Sequence, residues 1–143
     1  MAGGLIAIAA LAWPVTAWGQ ADWPTYGGNA WNQRWSTLKQ IDTRNVSQLV
    51  PRMVLQTGVG RLGSFETTPI VVGNMMYVTT AYNEVTIAYD LTSGKQVWRY
   101  EYKLGTALVC CGPNNRGVAV ADGLVLEGTM DAHLVALDAK TGE

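Results

Sequence analysis

Two cysteines stand side by side in ALVCCGPNNRG, residues 107 to 117, and Cys110 and Cys111 are the only two in the 143-residue chain. Adjacent α-carbons across a trans peptide sit about 3.8 Å apart, whereas ordinary disulfides prefer roughly 5.5–6 Å. A bridge between these two sulfurs is therefore strained. It also closes the smallest possible loop, so it restricts little of the unfolded chain's freedom and is no stability staple. If it forms, it is there for a site; the alternative is a pair of ordinary buried or free thiols.

Two charged residues accompany the pair: Arg116, in the same loop, and Glu66, in GSFETTP. A guanidinium fork suits a carboxylate or a quinone oxygen. A carboxylate accepts hydrogen bonds, and a vicinal sulfur ring presents a compact, polarizable, apolar face. Together they suit a flat, acidic, polar-edged molecule lying against the sulfurs. By residue type alone, Glu66 and Arg116 read equally well as a turn carboxylate and a solvated cation.

The elements that must position these residues begin at about residue 65. Short apolar runs, TPIVV, MMYVTT, TIAYDL and QVWRYEY, alternate with the turn sequences GN, YNE and TSGK, which predicts a four-stranded antiparallel meander. The pattern then repeats. VAVADGLVLEGT resembles IVVGNMMYVTT with one residue inserted near Gly123, and LVALDAKTGE resembles TIAYDLTSGK. Asp90 and Asp138 are 48 residues apart (138 − 90), as are Gly94 and Gly142 (142 − 94). Four strands per unit at a period of roughly 40–50 residues is the signature of a propeller blade, so the fold class is all-β, a β-propeller. In each D-x-x-S/T-G element the Asp is expected to cap the turn while the Gly takes a positive φ. Trp98 is expected to pack between neighbouring sheets. The second copy stops at Glu143, before its fourth strand, and a blade must bury its faces against neighbours, so the chain is expected to be the front part of something longer.

The same period places the chemistry. It sets Asn114 against Glu66 and Arg116 against Thr68, so both unusual stretches precede the first strand of successive units. First strands line a propeller's central channel. Their leading ends are therefore expected to bring Glu66, Cys110, Cys111 and Arg116 towards one site.

Upstream, residues 22–64 read as an entry segment and 65–143 as the first propeller repeats. Asp42 is expected to cap a helix of at most two turns that ends by Pro51. Trp23, Trp31 and Trp35 are expected to close the segment over the sheets. Residues 1–21 read as a signal peptide, with a short apolar run, LIAIAALAWPVTAW, and Gly19 and Ala21 before the cleavage point, although no Lys or Arg precedes the run. The run is too short for a comfortable membrane span. Export implies the periplasm, where adjacent cysteines can stay joined. A formal net charge of -1 leaves no basic footprint for nucleic acid.

DWPTYGGNAWNQRWSTLKQIDTRNVSQL, FETTPIVVGNMMYVTT, AYDLTSGKQVW, CCGPNNRG and ALDAKTGE together resemble the N-terminal part of the pyrroloquinoline quinone (PQQ) dependent alcohol dehydrogenases of the methanol and ethanol dehydrogenase family. The resemblance runs from about Asp22 to the end. It implies an eight-bladed propeller holding PQQ at the channel mouth, with Cys110 and Cys111 as a vicinal disulfide stacked on the cofactor. Glu66 would hydrogen-bond to PQQ and Arg116 would reach its carboxylate edge; no role carries over to Asn114. It also implies a calcium or lanthanide ion on the quinone oxygens and an aspartate base acting on the alcohol. Base and metal ligands would lie beyond Glu143, so this chain alone is expected to be inactive and to hold no catalytic or metal-ligating residue. The implied partners are a primary alcohol, oxidised to an aldehyde, and a cytochrome c-type electron acceptor, with subunit number left open, an oligomer included.

Other residues have plainer readings. His133 is expected to be a surface or inter-blade hydrogen bonder rather than a metal ligand, since no ligand partner recurs at suitable spacing. Met75 and Met76 read as strand packing. GVGRLG, residues 58–63, lacks the flanking strand and helix of a dinucleotide loop. No C-x-x-C-H haem motif occurs. The rival function is a non-catalytic propeller scaffold that assembles other proteins, since such scaffolds share the A-x-D-x-x-T-G repeat; a strained sulfur ring beside an arginine has no use there.

Overall fold

The computed structural model describes residues 22–58, 65–80, 85–105, 112 and 114–143. The expected signal peptide, most of GVGRLG, and both cysteines lie outside the described residues. Within them the chain is all-β apart from one 3-10 turn, Val46–Gln48. No helix among the described residues is long and apolar enough to cross a membrane.

Strands β1 (Ile70–Val72), β2 (Met75–Thr80), β3 (Val85–Asp90) and β4 (Lys95–Glu101) form one antiparallel sheet in sequential order. Strands β5 (Ala119–Ala121), β6 (Leu124–Gly128) and β7 (Leu134–Asp138) form a second. The meander and its repeat are as the pattern predicts. The first strands of the two sheets, however, begin 49 residues apart (119 − 70), while Asp90 and Asp138 keep the 48-residue spacing. The spacing is 49 through both β1/β5 and β2/β6 (124 − 75), so no residue is inserted near Gly123. It returns to 48 because five residues separate the paired Gly128 and Leu134 where six separate Thr79 and Thr86, and equivalent bonds mark the match: Leu91 N–H donates to Asn74 O, and Ala139 N–H to Gly123 O.

Alternation along the strands sends side chains to two cores. On one face, Ile70, Tyr77, Ala88 and Trp98 of the first sheet meet Val118, Val125, Leu137 and Ala139 of the second. Trp98 packs between the sheets as expected. Its indole N–H and the Tyr77 hydroxyl both donate to Ala139 O, each at 3.1 Å, so the polar tips of two buried aromatics share one acceptor. On the opposite face, Val78, Val85, Ile87 and Tyr89 pack against Leu55 of the entry segment, and Tyr89 OH donates to Gln56 O at 3.0 Å. Met75 joins the first core and Met76 the second.

Both D-x-x-S/T-G turns behave as their composition dictates. Asp90 Oδ1 accepts from Ser93 N and Oγ, and Asp138 Oδ1 accepts from Lys140 N and Thr141 N. Gly94 and Gly142 take φ of 69° and 76°.

The entry segment departs from expectation in two places. The helical stretch is a single 3-10 turn whose N-cap is Asn45, because Asp42 is occupied in its own turn, accepting from Arg44 N at 2.8 Å and pairing with the Arg44 guanidinium at 2.6 Å. None of its residues is buried, so no packed face extends it. Of the three tryptophans, Trp23 packs on the inter-sheet core, whereas Trp31 and Trp35 stay 83% and 69% exposed. They ride on a loop that closes on itself: Arg34 N–H reaches Gly27 O, and Asn29 Oδ1 takes Trp31 N–H and Gln33 N–H. Trp23 also forms an antiparallel bridge to Val71, with N–H to O distances of 2.6 and 3.0 Å, and Pro24 O accepts Val120 N–H at 3.0 Å.

Candidate functional site

The segments that lead into β1 and β5 lie side by side. Thr68 N–H donates to Arg116 O at 3.1 Å, a backbone bond that joins the two leads. Gly117 makes the approach possible. Its φ is 113°, and a Cβ there would sit 2.9 Å from Thr68 O. With the backbones this close, Arg116 Nη2 lies 3.1 Å from Glu66 Oε2. The structure thus brings together two of the four residues singled out by sequence, Glu66 and Arg116; Cys110 and Cys111 lie outside the described residues.

The pair is open to solvent: the Arg116 side chain is 71% exposed and that of Glu66 35%. An ion pair this exposed contributes about 0–1 kcal/mol to stability. Its chemical value lies in geometry, because the remaining guanidinium donors and the free carboxylate lone pairs can meet the edge of an acidic, oxygen-rich ligand.

Beneath the pair runs a buried polar layer that the sequence reading did not single out. Thr79, Thr86, Asn115 and Glu127 are all buried at the inter-sheet interface. Asn115 Oδ1 accepts from Thr79 Oγ1 at 2.8 Å and from Gly117 N at 2.9 Å, while Asn115 Nδ2 donates to Glu127 Oε1 at 2.9 Å. Thr86 Oγ1 donates to Glu127 Oε2, and Thr67 and Thr79 hydroxyls are 2.9 Å apart. One sequence signal was available: Glu127 lies two residues after the inward-facing Val125, where strand alternation calls for an apolar side chain.

A second cluster holds the root of the cysteine-bearing stretch. Asp131 Oδ2 accepts from Gly105 N at 2.9 Å and from Tyr102 OH at 3.2 Å, and its Oδ1 meets Thr129 Oγ1 at 2.6 Å and His133 Nδ1 at 3.0 Å. The Thr129 hydroxyl and the Gly105 N–H, followed by His133, hold the Asp131 carboxyl well below the usual carboxylate range. His133 is an exposed hydrogen bonder just before β7. Among the described residues no three His, Cys, Asp or Glu side chains are grouped to hold a metal ion.

Comparison with known proteins places this geometry in context. Residues 23–143 match the family model described as "Glucose/ethanol/alcohol dehydrogenase, beta-propeller domain". The chain is 44% identical over 116 residues to the lanthanide-dependent methanol dehydrogenase of Methylorubrum extorquens, a match that covers 78% of this chain and 19% of the relative. It is 38% identical over 125 residues to the 1-butanol dehydrogenase (cytochrome c) of Thauera butanivorans, covering 85% of this chain and 18% of that one. A europium-containing methanol dehydrogenase superposes with a TM-score of 0.77 at 37% identity, covering 86% of this chain and 22% of the other. The chain therefore spans about a fifth of the length of these relatives.

Proposed function

This chain belongs to the family of glucose/ethanol/alcohol dehydrogenase β-propeller domains, and we propose that it supplies the first blades and part of the cofactor seat of a periplasmic PQQ-dependent enzyme that oxidises primary alcohols to aldehydes. In this reading residues 1–21 are the leader, 22–64 the entry segment and 65–143 the first repeats. The observation that carries it is the Glu66–Arg116 pair at 3.1 Å, set where the leads of two successive repeats touch.

The residues present fit such a cofactor. PQQ is a flat quinone edged with carboxylates, and Arg116 offers an exposed fork beside an acceptor, Glu66, on a glycine-permitted approach of two chains. When bound, PQQ supplies a two-electron acceptor for hydride from the alcohol, with a calcium or lanthanide ion polarising the receiving carbonyl. The roles of this chain's own residues are to bind and orient. Arg116 would neutralise a carboxylate of the ligand, Glu66 would accept a hydrogen bond from its edge while holding the Arg116 guanidinium, and Cys110 and Cys111, as a vicinal disulfide, would offer it an apolar surface. The catalytic base and the metal ligands come from other parts of the propeller. The names of two relatives, one reading lanthanide-dependent and the other cytochrome c, support a lanthanide ion and a cytochrome c acceptor.

The test is made on the complete propeller that carries this stretch. Non-reducing mass spectrometry of the peptide containing Cys110 and Cys111 is expected to find it lacking both thiol hydrogens, and the stripped protein is expected to rebind PQQ. Arg116→Ala is expected to weaken PQQ binding by about tenfold or more, the loss of a charge-assisted contact, with little change in melting temperature. Two free thiols and no uptake of PQQ would leave a propeller scaffold and sink the enzyme reading.

A further inference from the structure

The buried layer has a direction. The Thr79 hydroxyl gives its hydrogen to Asn115 Oδ1 at 2.8 Å, so in the Thr67–Thr79 contact at 2.9 Å it is Thr67 that donates. Asn115 passes the sequence on by donating from Nδ2 to Glu127 Oε1, and Thr86 donates to the other carboxylate oxygen. These hydrogen bonds, from Thr67 through Thr79 and Asn115 and from Thr86, converge on Glu127. That carboxylate is fully buried, on the same face of β6 as Val125.

The termini of this chain of bonds matter. Thr67 follows Glu66 directly, and Asn115 precedes Arg116 directly. Asn115 Oδ1 also accepts the Gly117 N–H at 2.9 Å, so one amide pins the backbone on both sides of Arg116. An aliphatic residue at 127 would fill the same interface without the desolvation that a buried carboxylate incurs. What the carboxylate adds is orientation: it fixes which way the Asn115 amide faces, and that in turn fixes the lead of β5 against the lead of β1.

Resting on the PQQ reading above, we propose that Glu127, acting through Asn115, is a positioning residue that sets the Glu66–Arg116 pair at the spacing its ligand requires. It touches no ligand itself. The conservative change Glu127→Gln keeps a carbonyl oxygen for Asn115 Nδ2 and turns its amide towards Thr86, whose hydroxyl can accept. Glu127→Leu removes the acceptor and frees the amide. Thr79→Val breaks the link at its other end and leaves Glu127 in place.

The experiment is a PQQ titration of the complete apo-protein, read by cofactor absorbance, alongside thermal melts. Glu127→Leu and Thr79→Val are expected to raise the PQQ dissociation constant by about tenfold, and Glu127→Gln by no more than about threefold. Leu55→Ala, a change in the second core on the opposite face of the first sheet, is expected to lower the melting temperature and leave PQQ affinity unchanged, which separates positioning from general loosening. Should Glu127→Leu fail to fold, Thr79→Val decides. Wild-type affinity in both variants overturns the positioning role. Wild-type protein that takes up no PQQ overturns the cofactor reading itself, a distinguishable result.

Discussion

Gly117 is the residue on which the site geometry turns. Its φ of 113° suits glycine, and the space its missing Cβ leaves is taken by Thr68 O. Gly117→Ala is expected to destabilise the protein by about 1–3 kcal/mol through backbone strain, and to part Thr68 from Arg116. A denaturant midpoint measured on the complete propeller, with PQQ affinity in parallel, checks both effects; an unchanged midpoint would refute the strain argument. At this scale Glu66 and Arg116 were legible because the stretches that hold them both lead into the first strand of successive repeats. Asn115 and Glu127 were harder to read: alternation marks 127 as an inward position, but the partners that satisfy the two side chains, Thr79 and Thr86, lie 36 and 41 residues away on the other sheet.

At the scale of elements, the turns and the strands were the most readable parts. Asp and Gly at fixed offsets dictate turn chemistry locally, and Asp90, Asp138, Gly94 and Gly142 need no distant contact to behave as they do. Trp98 adds a long-range consequence. It lies against Gly142 so closely that a Cβ there would sit 2.7 Å from the indole, and its N–H is satisfied by Ala139 O. The repeat turn of one sheet is therefore the socket for the tryptophan of the other. Trp98→Ala is expected to cost about 3–5 kcal/mol, in the range for a large buried aromatic, seen as a lower denaturant midpoint with the slope retained. A loss under about 1 kcal/mol would mean that the socket collapses around the smaller side chain. The entry segment was harder to read: the 3-10 turn and the exposed Trp31 and Trp35 depend on which surfaces the chain finds to cover, and local propensity carries no such information.

Across the whole molecule the two sheets share an interface that is apolar at one end, with Tyr77, Trp98, Val125 and Leu137, and polar at the other, with Thr79, Thr86, Asn115 and Glu127. Three carboxylates are held in place nearby: Asp90 and Asp138 each within its own turn, and Asp131 between Tyr102 and Gly105 on one side and Thr129 and His133 on the other. Backbone N–H donors, first among them Ser93 for Asp90 and Thr141 for Asp138, lower both carboxyls, and the Thr129 hydroxyl leads in lowering Asp131. A carboxyl whose folded value lies below its unfolded 3.8 contributes stability that is fully present above that pH and is lost as pH falls through the folded value. The melting temperature of the complete protein is therefore expected to drop as the medium is taken from about pH 5 to about pH 2. Asp131→Asn is expected to flatten part of that drop, and an identical acid profile in the variant would count against its share.

The bridge at Trp23 and Pro24 has a consequence in time. These two residues bond to Val71 of β1 and to Val120 of β5, one edge strand of each sheet, and they precede both in sequence. Synthesis runs from the N-terminus, so the cap exists before either strand it covers. Each edge can be closed as soon as it forms, rather than waiting as an open template for pairing with another chain. Order of synthesis thus guards against mispairing in a molecule assembled one sheet at a time.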